Sequence, residues 1–151
     1  DDPVHDAAGF HCNLFRIGSD GGKFSATQVY ANKDLANHHG GIVLIGDHLY
    51  GHSDSRGWVC MEFKTGAVVW SKGGVGKGSL TVADGKLICR SEGKRGTIAL
   101  VEASPEGYKE LGRFEQPERG IKEAWPHPVV ANGRLYIRDM DTLLCFDLKK
   151  K

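Results

Sequence analysis

The stretch Cys60-Met61-Glu62-Phe63-Lys64-Thr65-Gly66-Ala67-Val68-Val69-Trp70 reads as strand, tight turn and strand, closed by a tryptophan. Apolar, β-branched and aromatic runs on either side of a glycine corner favour extended backbone. The glycine supplies a turn conformation that side chains resist. The neighbourhood of this stretch recurs. Gly46-Asp47-His48-Leu49-Tyr50 aligns with Asp84-Gly85-Lys86-Leu87-Ile88 and with Asn132-Gly133-Arg134-Leu135-Tyr136. Leu49 and Leu87 lie 38 residues apart, and Leu87 and Leu135 lie 48 apart. Periods of roughly 40–50 residues with several short strands per unit predict four-stranded antiparallel modules, the architecture of a β-propeller.

Each unit divides into strands on this pattern. The first complete blade spans 38–72, with strands at 42–45, 48–52, 58–63 and 67–71. The second spans 77–115, with strands at 79–83, 86–91, 97–102 and 108–114. A partial blade at 124–149 carries strands at 127–131, 134–138 and 142–148, and another at 10–31 carries the outer pair 12–17 and 24–30. Asp84-Gly85 and Asn132-Gly133 suit two-residue hairpins. Ile42-Val43-Leu44-Ile45 is apolar throughout, as expected of a strand covered on both faces. The expectation is an all-β propeller segment of about three and a half blades. Propellers close at roughly 4–8 blades and open arcs expose strand edges, so a ring of about 6–8 blades completed by further blades or another chain is expected. Gln116 to Ala124 is the best helix candidate and lacks an apolar stripe.

Composition excludes some roles. The net charge of +1 provides no field to recruit nucleic acid. No apolar run approaches the ~18 residues of a membrane span. The opening Asp1-Asp2-Pro3 has neither the basic start nor the apolar segment of a signal peptide. The four cysteines, Cys12, Cys60, Cys89 and Cys145, form no Cys-x-x-Cys pair, which argues against structural zinc. They read as buried free thiols in strands, with a disulfide left open by spacing alone. Gly73-Gly74-Val75-Gly76-Lys77-Gly78 lacks phosphate-loop spacing and reads as a flexible connection between blades.

The central stretch resembles the tryptophan-docking repeat of the PQQ-like (quinoprotein-type) β-propeller family, Ala-x-Asp-x-x-x-Gly-x-x-x-Trp. Thr65, Gly66 and Trp70 match, while Cys60 stands for the alanine and Glu62 for the aspartate. Phe24 takes the tryptophan place in the preceding half-blade. In the second unit Ala99 matches, Val101 stands at the acidic position and Pro105 at the glycine. The chain from residue 12 onward is similar to bacterial, planctomycete-type members of that family. The resemblance implies an exported protein. Catalytic members hold PQQ and calcium in the central channel, but none of their site motifs can be carried onto this chain.

Up-and-down strands put the loops entering each inner strand on the same face as the loops between second and third strands. Propellers commonly bind ligands there. The entering loops carry His38 and His39, then Lys77, then Trp125 and His127. The other loops carry Asp54-Ser55-Arg56, Glu92-Gly93-Lys94-Arg95 and Asp139-Met140-Asp141. His38, His39, Arg56, Lys77, Arg95, Trp125 and His127 are therefore the expected ligand face, suited to a protein or glycan partner. Adjacent histidines on extended backbone point to opposite sides, which argues against one shared metal ion. His48 and His52 are expected on the surface or in packing. The charged connection 116–123 is expected to be a solvated loop. The functional expectation is a non-catalytic binding or scaffolding module. The alternative is a PQQ-dependent alcohol or sugar dehydrogenase with part of its cofactor site in further blades.

Overall fold

The computed structural model describes residues 12–122 and 124–149, and every regular element among them is a β-strand. The chain's opening residues 1–11, which include the start of the expected blade at 10–31, lie outside the described residues, as do Glu123, Lys150 and Lys151. The strands are β1 (Cys12–Asp20), β2 (Lys23–Asn32), β3 (Ile42–Ile45), β4 (His48–Ser53), β5 (Gly57–Glu62), β6 (Val68–Lys72), β7 (Gly78–Ala83), β8 (Lys86–Ser91), β9 (Thr97–Glu102), β10 (Lys109–Glu115), β11 (Val129–Ala131), β12 (Arg134–Asp139) and β13 (Thr142–Asp147). They form four antiparallel, blade-like sheets in sequence order: β1-β2, β3-β4-β5-β6, β7-β8-β9-β10 and β11-β12-β13. No helix forms at 116–122. No described helix is long and apolar enough to cross a membrane.

The turn chemistry matches the sequence. Asp84 and Gly85, at φ 48° and 67°, and Asn132 and Gly133, at φ 53° and 72°, hold both central hairpin positions in the left-handed region. Side chains alternate between faces along each strand, and the sheets stack through those alternate sets. Val59 and Met61 pack toward the first sheet with Leu35 and Tyr30. Tyr50, Trp58 and Cys60 pack toward the third sheet, against Leu80, Leu87, Cys89 and Val101. Ile88 and Ile98 turn to the fourth sheet and meet Leu135 and Ile137. Each core cluster therefore joins neighbouring sheets. No strand of the first sheet lies against the fourth, so the described residues form an open run.

A second device joins the sheets from their outer strands. In the second sheet Tyr50 pairs with Cys60, and Cys60 pairs with Trp70 across a β-bulge that skips Val69. Trp70 donates its indole N–H to the carbonyl of Ser104 in the third sheet at 2.8 Å, with Tyr50 and Tyr108 about its ring. In the first sheet Leu14 pairs with Tyr30 across the same bulge, which skips Val29. Tyr30 donates its hydroxyl to the carbonyl of Phe63 in the second sheet at 2.9 Å. In the third sheet Ile88 pairs with Leu100, and Leu100 with Gly112, across a bulge that skips Leu111. The docking row thus runs Tyr30, Trp70, Gly112.

This register corrects the expected motif alignment. Phe24 does not dock; it is 80% exposed, and Tyr30 takes that role. Ladder pairing puts Glu102, opposite Lys86, in the place of Glu62, opposite His48. Ala99 therefore corresponds to Val59 rather than Cys60, because the second β-β turn of the third sheet is longer. The corner at Gly66 follows the expectation. Its φ is +72°, its N–H donates to the Glu62 carbonyl at 2.9 Å, and Thr65 donates its hydroxyl to the Glu62 carboxylate at 2.5 Å. The Tyr30 ring lies flush against it, 3.0 Å from where a Cβ would stand.

Three further expectations fail for physical reasons. β3 is covered on one face only: Val43 and Ile45 join the core, while Ile42 and Leu44 are exposed because the first sheet places no strand opposite them. The glycine-rich connection is pinned rather than flexible. Trp58 donates its indole N–H to Gly76 O at 3.0 Å, and a Cβ on Gly74 would stand 2.6 Å from the Trp58 ring. Cys60 and Cys89 are buried free thiols, but Cys145 is exposed, on the side of β13 that no described sheet covers.

Candidate functional site

The loops that lead into β3, β7 and β11 meet at one rim. Two glycines allow the approach: a Cβ on Gly40 would stand 2.1 Å from the Gly78 carbonyl, and one on Gly78 would stand 1.8 Å from the Arg90 carbonyl. Leu80 N–H donates to Gly40 O at 3.1 Å. His127 closes the junction, with Nδ1 3.2 Å from Leu80 O and Nε2 2.9 Å from His39 O. A Cβ on Gly41 would stand 2.6 Å from the His127 ring. One imidazole thus touches entry segments of three sheets.

Around this junction lies a polar cluster. His39 Nε2 is 2.8 Å from Glu92 Oε2, and its ring lies 5.3 Å from that of Trp125, which is half exposed. His38 stands beside His39, and Lys77 Nζ is 3.1 Å from His38 Nδ1. Lys77 donates to Asp54 Oδ2 at 2.8 Å. His52 is buried, edge-on to Trp58, with Nδ1 3.8 Å from Asp54 Oδ1. Burial holds the His52 imidazole below its ordinary value of 6.5, against the opposing pull of Asp54. For Asp54 burial acts upward, but the hydrogen bond and charge of Lys77 outweigh it and hold the carboxyl below 3.8.

The structure therefore brings His38, His39, Lys77, Trp125 and His127 together. It does not bring Arg56 or Arg95 into contact with them. Arg56 pairs with Asp34 at 2.5 Å, and Arg95 pairs with Glu115 at 3.2 Å on the solvent side. Both arginines sit on loop shoulders where a nearer carboxylate takes the guanidinium.

Beside the rim a second network fixes the longer connection between the third and fourth sheets. Arg90 and Asp139 are fully buried. Arg90 donates to Arg138 O at 2.7 Å, Pro126 O at 3.1 Å and Gln116 Oε1 at 3.0 Å. Gln116 donates to Asp139 at 2.6 Å, Arg119 forks onto the same carboxylate at 3.0 and 3.1 Å, and Gly120 N–H adds a bond at 3.1 Å. Burial alone would raise the Asp139 pKa, yet these donors hold it below 3.8. The connection is therefore anchored at Gln116 and Arg119, contrary to the expected solvated loop. Pro117, Glu118, Ile121 and Lys122 between and beyond these anchors stay exposed, Ile121 at 98%. A cleft of about 400 Å³ opens between Glu92, Lys94, Arg119 and Lys122. The sequence signal for this network was Arg90 itself, a charge inside the apolar strand Leu87-Ile88-Cys89.

Among the described residues, no three His, Cys, Asp or Glu side chains converge as metal ligands. Calcium requires oxygen donors; of the rim carboxylates, Asp54 is engaged by Lys77 and Asp139 by Arg119 and Gln116. No protein-family model matches this chain, and no curated protein matches it.

Proposed function

We propose that this chain is a segment of a PQQ-like β-propeller acting as a non-catalytic binding or scaffolding module of an exported bacterial protein. The serial stacking of blade-like sheets and the docking of Tyr30 and Trp70 support the propeller reading. In that reading the ring has about 6–8 blades, with further blades or another chain closing it. The ligand face is the rim, and its ligand is a protein or glycan. The observation that carries this reading is the half-exposed Trp125 ring beside His39 and Glu92, next to the charged cleft. An aromatic face flanked by ionic hydrogen-bonding groups suits a polar ligand with one apolar side.

The test is glycan-array and peptide-array screening of the 151-residue chain, followed by titration of the best ligand. Joint substitution of His39→Ala and Lys77→Ala, and separately Trp125→Ala, lowers affinity about tenfold or more while the melting temperature stays close to that of the parent. Unchanged affinity in both rejects the rim. Tight PQQ binding with calcium-dependent dye reduction would overturn the non-catalytic reading.

A further inference from the structure

The charged cleft beside the rim and the half-exposed Trp125 meet at one residue. Glu92 turns its carboxylate to His39, with Oε2 2.8 Å from Nε2, and the His39 ring lies 5.3 Å from that of Trp125. The same Glu92 lines the cleft of about 400 Å³, with Lys94, Arg119, Gly120, Ile121 and Lys122. Arg119 holds the two lips together. Its side chain is nine-tenths buried, and it reaches from the connection to Gly93 O at 3.3 Å and Glu92 O at 2.9 Å. Its charge is matched by Asp139 at 3.0 Å, so it fixes the shape of the cleft rather than its sign. The sign comes from Lys94 on one lip and Lys122 on the other. Both are exposed, and neither pairs with a carboxylate among the described residues. Glu92, the one carboxylate of the lining, is engaged by His39.

We propose that this joined surface binds an acidic glycan: one sugar ring lies on Trp125, and the carboxylate or sulfate of the next sugar unit sits between Lys94 and Lys122. The inference rests on the rim being the ligand face and names the ligand chemistry for it. The observations favour a sugar over an acidic peptide. A peptide is held along an open strand edge or by apolar side chains in a socket. The backbone of the rim is already tied: Leu80 N–H donates to Gly40 O, Glu92 N–H donates to Lys77 O at 2.9 Å, and the carbonyls of His39 and Leu80 face His127. The apolar groups, Trp125 and Ile121, stand at 54% and 98% exposure and present faces rather than a socket. A pyranose offers a C–H face to an aromatic ring and hydroxyls around its edge. Trp125 supplies the flat ring, and the Glu92 carboxylate keeps lone pairs for a hydroxyl beside it. An anionic substituent then answers the two lysines through charge-assisted hydrogen bonds. The cleft lies near the lower end of ligand-pocket volumes, roughly 300–1,000 Å³, which suits one sugar unit.

The test titrates the whole 151-residue chain at physiological ionic strength, where distant surface charges are screened. The probes are trigalacturonate, its methyl ester, a sulfated galactose tetrasaccharide and hexaglutamate. At least one acidic sugar binds saturably, with a dissociation constant on the order of 1 mM or tighter, and the tighter of the two identifies the anion. The methyl ester binds about tenfold more weakly than trigalacturonate. Lys94→Gln combined with Lys122→Gln lowers acidic-sugar affinity about tenfold, and Trp125→Ala lowers it as well. Both lysines are exposed, so the melting temperature stays close to that of the parent. Lys64→Gln combined with Lys109→Gln makes the same change in charge at exposed lysines outside the cleft and leaves affinity unchanged. Equal binding of acid and ester, weakened by Trp125→Ala but not by the lysine variant, keeps the rim as ligand face and overturns the anionic ligand. Hexaglutamate binding as tightly as the sugars, with the same lysine dependence, overturns the glycan. An equal loss in the control pair, or no saturable binding of either acidic sugar at millimolar concentration, also overturns the proposal.

Discussion

The imidazole of His127 bridges 88 residues of chain to reach the carbonyl of His39 at 2.9 Å, while its other nitrogen faces the carbonyl of Leu80 at 3.2 Å. Both partners are acceptors. A neutral imidazole donates to one of them at a time, whereas the imidazolium donates to both. Replacing His127 by Ala removes the link between three entry segments and leaves two carbonyls to find water. The expected loss is about 1–2 kcal/mol of unfolding free energy, read as a lower urea midpoint. A neutral result would show that the ring merely fills space.

Gly40 and Gly78 are predicted to be less tolerant than His127. A Cβ at either would fall within 2.1 Å of a backbone carbonyl, which no rotamer change relieves. Gly40→Ala and Gly78→Ala should each cost several kcal/mol, on the order of the largest overpacking penalties. The measurement is soluble yield and thermal midpoint beside a Gly73→Ala control, whose Cβ meets nothing within 4 Å and whose backbone lies outside the left-handed region.

The Trp70 contact divides into a polar and an apolar part. Trp70→Phe removes the bond to Ser104 and part of the ring while keeping an aromatic between Tyr50 and Tyr108, a loss of about 1–2 kcal/mol. Trp70→Ala also removes the ring between Tyr50 and Tyr108, for a loss of about 3 kcal/mol, the low end for an aromatic residue because the indole is part exposed. Gly66→Ala should cost about 1–2 kcal/mol from its left-handed backbone alone, and more as the new methyl presses on Tyr30. Chemical denaturation of the three variants would rank them.

Acid should destabilise the protein in two ranges. Burial keeps the folded-state pKa of His52 below 6.5, so the unfolded chain takes up the proton first. Stability from this group is complete above about pH 6.5 and declines as pH falls toward the lowered value. Asp139 acts lower: its donors hold it below 3.8, and its contribution fades as pH falls through that depressed value. His52→Gln should flatten the first decline without touching the second. Asp139→Asn should cost about 3–5 kcal/mol at neutral pH by leaving Arg90 buried beside a neutral group.

Much of the strand pattern was legible because hairpin turns and alternating faces are local properties. Asp84-Gly85 and Asn132-Gly133 announce their backbone conformation, and the expected strand limits lie within about two residues of most of those found. Docking partners were less legible. Phe24 is the first aromatic after the Gly21-Gly22 corner, yet a bulge at Val29 selects Tyr30, and a bulge is a property of two strands together. On the rim, loop equivalence correctly grouped His38, His39, Lys77, Trp125 and His127. It failed for Arg56 and Arg95 because their side chains answer to Asp34 and Glu115, neighbours that loop position does not reveal.

Each apolar cluster in this molecule is shared by sheets adjacent in sequence, and none spans the run from end to end. Loss of order at one extremity then deprives only the next unit of its cover. Amide exchange should accordingly fade outward from the Cys60–Cys89 seam in graded tiers, as in a stack whose outermost layers loosen before its middle.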